Sequence, residues 1–144
     1  MRRLVLIASL LVAAALAPLA WGASSARIVV VRVSVSGGVT ASRSALLALT
    51  VRNAGAGAAK ASRVRVLLSA DRKVGHDVLI GTVSVPRLKA HASLRISARV
   101  SVPFSITGGK RWVVACASAC VAGAPTTADG PDADRDGYTV KRGD

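Results

Sequence analysis

This chain of 144 residues has seven aspartates and no glutamate, and four of the seven fall in its last stretch, DADRDGYTVKRGD. Asp132, Asp134 and Asp136 alternate there ahead of Gly137. Oxygens at the first, third and fifth positions of a loop, a glycine at the sixth for the sharp turn and a backbone carbonyl at the seventh are how a short loop wraps calcium. The carbonyl falls to Tyr138, and the twelfth position, which needs a bidentate carboxylate, is Gly143. Asp144 is the remaining carboxylate. Asp132, Asp134, Asp136, Tyr138 and Asp144 leave a calcium ion short of its usual roughly six to eight oxygens, so the site is expected to be weak.

The other reactive groups converge less. His76 and His91 both lie in polar stretches beside aspartate or lysine. Ser69 with His76 and Asp71 or Asp77 has the residue types of a hydrolase triad, but the serine is in no GxSxG-like elbow and all four belong to one loop. In GAGAAKAS, residues 55 to 62, Ala59 stands where a phosphate-binding loop has glycine before Lys60. Cys116 and Cys120 are too few for a zinc site, and their CxxxC spacing lacks a surrounding βαβ pattern. In an exported chain they are read as a disulfide, facing each other across a hairpin and fixing its register.

Export is expected from the start of the chain. MRRLVLIASLLVAAALAPLAWGASSA has two arginines, an apolar run from Leu4 to Ala20, and then small residues, the layout of a secretory signal peptide over residues 1–26. The mature protein is expected to be secreted or held at the cell envelope, with no membrane span after cleavage. Its charge is divided: Arg27 to Ala124 holds 15 Lys or Arg against Asp71 and Asp77, whereas residues 125–144 hold 3 Lys or Arg against 5 Asp. The reading is a basic domain over residues 27–124 and an acidic, disordered tail over 125–144.

The domain must be built from strands. Val31, Val33 and Val35 alternate with Arg32, Ser34 and Ser36, and Leu47, Leu49 and Val51 alternate with Ala48, Thr50 and Arg52. The same period of two runs through Arg63 to Leu68 and Leu94 to Val102. Gly37-Gly38, Asn53-Ala54-Gly55, Gly75, Gly81, Pro103 and Gly108-Gly109 punctuate the runs. About seven short strands with turns at regular intervals predict an all-β fold, an antiparallel β-sandwich. Alternation then places Arg32, Arg52, Arg95 and Arg99 on the outer face of one sheet and Arg63 and Arg65, with Arg111, on the other. Such faces attract polyanions, namely acidic wall polymers or anionic lipid. With Phe104, Trp112 and Tyr138 as the aromatics beyond the leader, there is no stacking platform or recognition helix for specific nucleic acid.

TVRNAG at 50–55, VLLSAD at 66–71, DVLIGTVSVPRL at 77–88, the strand ending at Pro103 and WVVACA at 112–117 together resemble the bacterial CARDB domain. That resemblance, over about two thirds of the chain, implies an immunoglobulin-like sandwich and a non-catalytic module for binding or adhesion outside the cell. Two departures stand out. The loop DRKVGHD keeps only Asp71 and Asp77 and inserts Arg72, Lys73 and His76, and the last strand is expected to be short, Cys120 to Gly123. The tail resembles the acidic metal-binding repeats of secreted bacterial proteins, which run on past GD into a cysteine and further aspartates.

Calorimetric titration tests the tail. Calcium is expected to bind with a Kd of roughly 10⁻⁴ to 10⁻³ M, and replacing Asp132, Asp134 and Asp136 by Asn should abolish it. Micromolar binding that survives the replacement would place calcium elsewhere.

Overall fold

The computed structural model describes residues 25–131. Eight strands follow in order: β1 (Ile28–Ser36), β2 (Val39–Thr40), β3 (Ser44–Asn53), β4 (Ser62–Ser69), β5 (Val78–Val85), β6 (Ser93–Ser101), β7 (Gly109–Cys116) and β8 (Cys120–Asp129). They form a three-stranded sheet in the order β1-β3-β6 and a five-stranded sheet in the order β2-β8-β7-β4-β5. All pairings are antiparallel except that of β2 with β8. The architecture is the expected all-β sandwich, with one strand more than predicted because the two-residue β2 leaves the first sheet for the edge of the second. Gly37 and Gly38, both at positive φ (77° and 80°), make that change of sheet, a conformation open to glycine and costly for other residues.

Val33, Leu47, Leu49, Val51, Val64, Val66, Val83, Val85, Val113 and Ala115 project from the facing sides and fill the interior. The alternation that predicted this fails at Val31. A bulge between Val30 and Arg32 inserts one residue, so Val30 is buried while Val31 is 54% exposed. On the β1 side the two sheets nearly touch. A Cβ added at Gly123 of β8 would meet the Val33 carbonyl oxygen at 2.4 Å, so only glycine permits the approach.

The last strand is longer than its sequence suggests. β8 runs to Asp129 rather than stopping at Gly123, which takes Pro125 to Asp129 out of the acidic tail and into the sheet. Its far half pairs with β7 through Gly109↔Ala128 and Arg111↔Thr126, and then with β2 through Val39↔Ala128. Pro125 is accommodated beside the register shift between Trp112 and Val114, where the ladder is already interrupted. The predicted leader lies in residues 1–26, almost all outside the described residues, as do the five expected calcium ligands Asp132, Asp134, Asp136, Tyr138 and Asp144.

Asn53, fully buried at the end of β3, ties four segments together. Its Oδ1 accepts from the backbone N–H of Arg27 and of Gly55, each at 3.0 Å. Its Nδ2 donates to the carbonyls of Gly57 at 2.7 Å and Lys89 at 3.1 Å, with Leu88 at 3.4 Å. Every polar group of the amide is thus occupied. Replacement by alanine strands the N–H groups of Arg27 and Gly55 and the Gly57 carbonyl, while the carbonyls of Leu88 and Lys89 keep the N–H groups of Ala59 and Ala92. At roughly 1–3 kcal/mol for each stranded buried group, Asn53→Ala is expected to cost about 3 kcal/mol. In a thermal melt that is a fall of more than about 10 °C. Asn53→Asp keeps the shape but turns a donor into an acceptor facing carbonyls, and should melt no higher than the alanine variant at neutral pH.

Candidate functional site

On the outer face of the three-stranded sheet the register aligns Arg32 with Thr50 and Thr50 with Arg95, one row across all three strands. A second row is Ser36, Leu46 and Arg99. Arg52, opposite Ser93, stands one pleat beyond the first row. All four arginines are exposed. Arg32 and Arg95 are two strands apart, about 10 Å, and Arg95 and Arg99 are four residues apart along β6, about 13 Å. Between them lie small side chains, Ser34, Ala48, Thr50 and Ser97, which leave the guanidinium groups standing above a low surface. The carboxylates among the described residues are Asp71, Asp77 and Asp129, and none is on this sheet.

The outer face of the five-stranded sheet is different. Arg63 and Arg65 are exposed opposite Ser84 and Thr82. Beyond them the face turns apolar, where Leu67, Val114 and Cys116 form a second buried cluster outside the main core. Cys116 and Cys120 are directly paired across the β7–β8 hairpin with Cα atoms 4.0 Å apart and are joined by a disulfide. Trp112 continues the row, with the Arg72 guanidinium 5.3 Å and the Lys110 ammonium 5.5 Å from its ring centre. Arg111 is not on this face. It shares its side of β7 with the core residues Val113 and Ala115, because the next residue along a strand always points the other way.

The loop between β4 and β5 holds the residues of the triad pattern, but not as a triad. Ser69 is fully buried, and its hydroxyl donates to the Lys73 carbonyl at 3.0 Å and lies 3.2 Å from the Asp71 carboxylate. Asp71 also accepts from the Lys73 N–H at 3.0 Å, and Asp77 from the Gly75 N–H at 3.2 Å. These contacts fold the loop upon itself. His76 is exposed and hydrogen-bonds none of them, and His91 sits in the β5–β6 turn at φ 60°. Among the described residues no three His, Cys, Asp or Glu side chains gather as metal ligands. No helix among them is long and apolar enough to cross a membrane.

Sequence reasoning missed a cleft at the end of the sandwich. Leu68, Ala70, His76, Val78, Ser105, Ile106, Thr107 and Arg111 enclose about 230 Å³ there. The signal that points to it is the inward parity of Arg111 at the open end of β7, where an inward side chain meets no facing sheet.

No protein-family model and no curated protein sequence matches the chain. Solved structures do resemble it. A β-glucosidase from Erythrobacter marinus aligns with 72% of this chain at 11% identity and a TM-score of 0.54, and a β-glucosidase from Bifidobacterium adolescentis with 83% at 21% and 0.53. The chain spans only 15% and 19% of those enzymes. A CARDB domain from Pyrococcus furiosus, solved in complex with di-metal ions, aligns with 72% of this chain at 12% identity and a TM-score of 0.50, and 93% of that domain is covered. At these identities the likeness is one of fold. The chain has a β-sandwich fold like that of the CARDB domain, at a distance.

Proposed function

We propose that this protein is a secreted, non-catalytic β-sandwich module for binding or adhesion at the cell envelope, and that it holds anionic wall polymer through the outer face of β1, β3 and β6. The observation that carries the reading is the placement of Arg32, Arg52, Arg95 and Arg99 on one exposed sheet face that contains no carboxylate. A single exposed ion pair contributes little, about 0–1 kcal/mol, but four cations on one rigid sheet meet successive charges of a polymer without new ordering of the protein. The leader-like first residues and a disulfide, which persists in oxidising compartments, support the location. The self-contained hydrogen bonding of Ser69, Asp71 and Asp77 supports a non-catalytic role.

A second reading, recognition through the β4–β5 loop and the adjoining start of β7, is favoured by the Trp112 ring with the Arg72 and Lys110 cations over it. Salt and substitution separate the two. Binding of the full chain to a glycerol phosphate polymer should fall steeply between about 50 and 200 mM salt, by about 150-fold if all four arginines displace counterions as on duplex DNA. Replacing Arg32, Arg52, Arg95 and Arg99 together by Gln should remove most of the affinity and flatten the salt dependence. Replacing Arg63 and Arg65 serves as the comparison. Binding that ignores both salt and the fourfold replacement, but is lost on Trp112→Ala, would transfer the function to the β4–β5 loop and the start of β7.

A further inference from the structure

The cleft beside the β4–β5 loop has the make-up of a small binding site. Its surface is mainly polar, with a smaller apolar part at its base where the buried Leu68 and Ile106 meet half-buried Val78. Its rim is polar, carrying the exposed side chains of His76, Ser105 and Thr107 and the half-buried Arg111. The Arg111 guanidinium is held in place by Thr107, whose carbonyl and hydroxyl both accept from Nη2. That engages Nη2 and leaves Nε and Nη1 without a hydrogen-bond partner among the described residues. The two nearby carboxylates do not compete for them, since Asp71 and Asp77 accept hydrogen bonds within their own loop and neither lines the cleft.

One cation, two hydroxyls and a mainly polar lining with a small apolar base match a compact ligand with one negative charge and several hydroxyl groups. The volume of about 230 Å³ lies below the roughly 300 Å³ at which pockets for drug-sized molecules begin, so the occupant is a single small unit. Phe104, 66% exposed, precedes Ser105 on the same loop and adds apolar surface next to the rim. We propose that this cleft binds a small hydroxylated carboxylate, the chemistry of a sugar acid, with Arg111 holding the carboxylate. The site uses none of the arginines of the β1-β3-β6 face, so it stands or falls independently of polymer binding there.

The test is a titration of the full chain with glucuronate, followed by the backbone amide resonances of residues 105–107 and 111. Glucose, acetate and inorganic phosphate are titrated in parallel. Saturable one-to-one binding of glucuronate with a Kd on the order of 1 mM is expected, as suits a ligand of this size. Glucose and acetate should each bind at least about tenfold more weakly, since each lacks half of the recognition. Arg111→Gln should weaken glucuronate about tenfold or more, and Ala70→Trp, which fills the cleft from an exposed position without altering charge, should block it. Arg95→Gln should leave it unchanged. The proposal is overturned if glucuronate leaves these amides unmoved, if both cleft variants bind it as tightly as the parent, or if phosphate binds more tightly than glucuronate.

Discussion

The structure depends on one buried amide. Asn53 closes β3 at the point where the chain must pass from the three-stranded to the five-stranded sheet, and its two ends are satisfied by backbone from opposite directions. The N–H groups of Arg27 and Gly55 converge on its oxygen, so the start of β1 and the β3–β4 loop are fixed together. The carbonyls around Lys89 converge on its nitrogen, so the β5–β6 connection is fixed to the same point. Backbone polar groups at this end of the sandwich have no sheet partner, and leaving them unpaired out of water would be costly. The side chain supplies the missing partners. An isosteric leucine would fill the same space and strand the N–H groups of Arg27 and Gly55 and the Gly57 carbonyl, while the carbonyls of Leu88 and Lys89 would keep the N–H groups of Ala59 and Ala92.

With that end fixed, charge can be placed where packing does not need it. The interior is lined by valine, leucine and alanine from both sheets, and the arginines occupy the alternate positions that packing ignores. The three-stranded sheet exposes a face of serine, threonine, alanine and arginine, with Leu46 and Val31 as its exposed large apolar residues. The five-stranded sheet, by contrast, spends part of its outer face on Leu67, Val114 and Cys116. The same pleat therefore yields a polar, cationic surface on one side and a partly apolar one, reinforced by the Cys116–Cys120 bridge, on the other. Both edges of the three-stranded sheet are free in the sheet order, and β6 carries Arg95 and Arg99 along one of them. Charged side chains of one sign along an edge oppose pairing with a second copy of that edge.

The likeness to a CARDB domain and to parts of β-glucosidases comes from the same physics. A two-sheet sandwich of about a hundred residues is a common solution to burying two apolar faces, and function sits in what is mounted on it. Here the mounted features are the arginine face, the loop that carries Arg72, Lys73 and His76 between Asp71 and Asp77, and the cleft below that loop. The β4–β5 loop shows how positive charge is accommodated there. Its shape is set by Ser69, Asp71 and Asp77 bonding to their own backbone, which leaves the residues between them free to carry positive charge.

The sequence by itself determined the class of the fold, most of the strands and the side on which Arg32, Arg52, Arg63, Arg65, Arg95 and Arg99 emerge, though not that of Arg111. These follow from a period of two, a local property that any neighbour in the sheet must respect. It also pointed to the two cysteines facing each other across a hairpin, and the register of β7 with β8 pairs them so. Tertiary structure decided what depends on which strand lies beside which. It sent β2 to the second sheet, carried β8 on to Asp129 because β7 and β2 were both there to pair with it, and shifted the buried valine from Val31 to Val30 through a bulge. It buried Asn53, which looks in sequence like an ordinary turn residue, and brought Arg111 over a cleft with His76, a residue 35 positions away. Those outcomes rest on partners distant in the chain, and a local pattern carries no information about a partner it has not yet met.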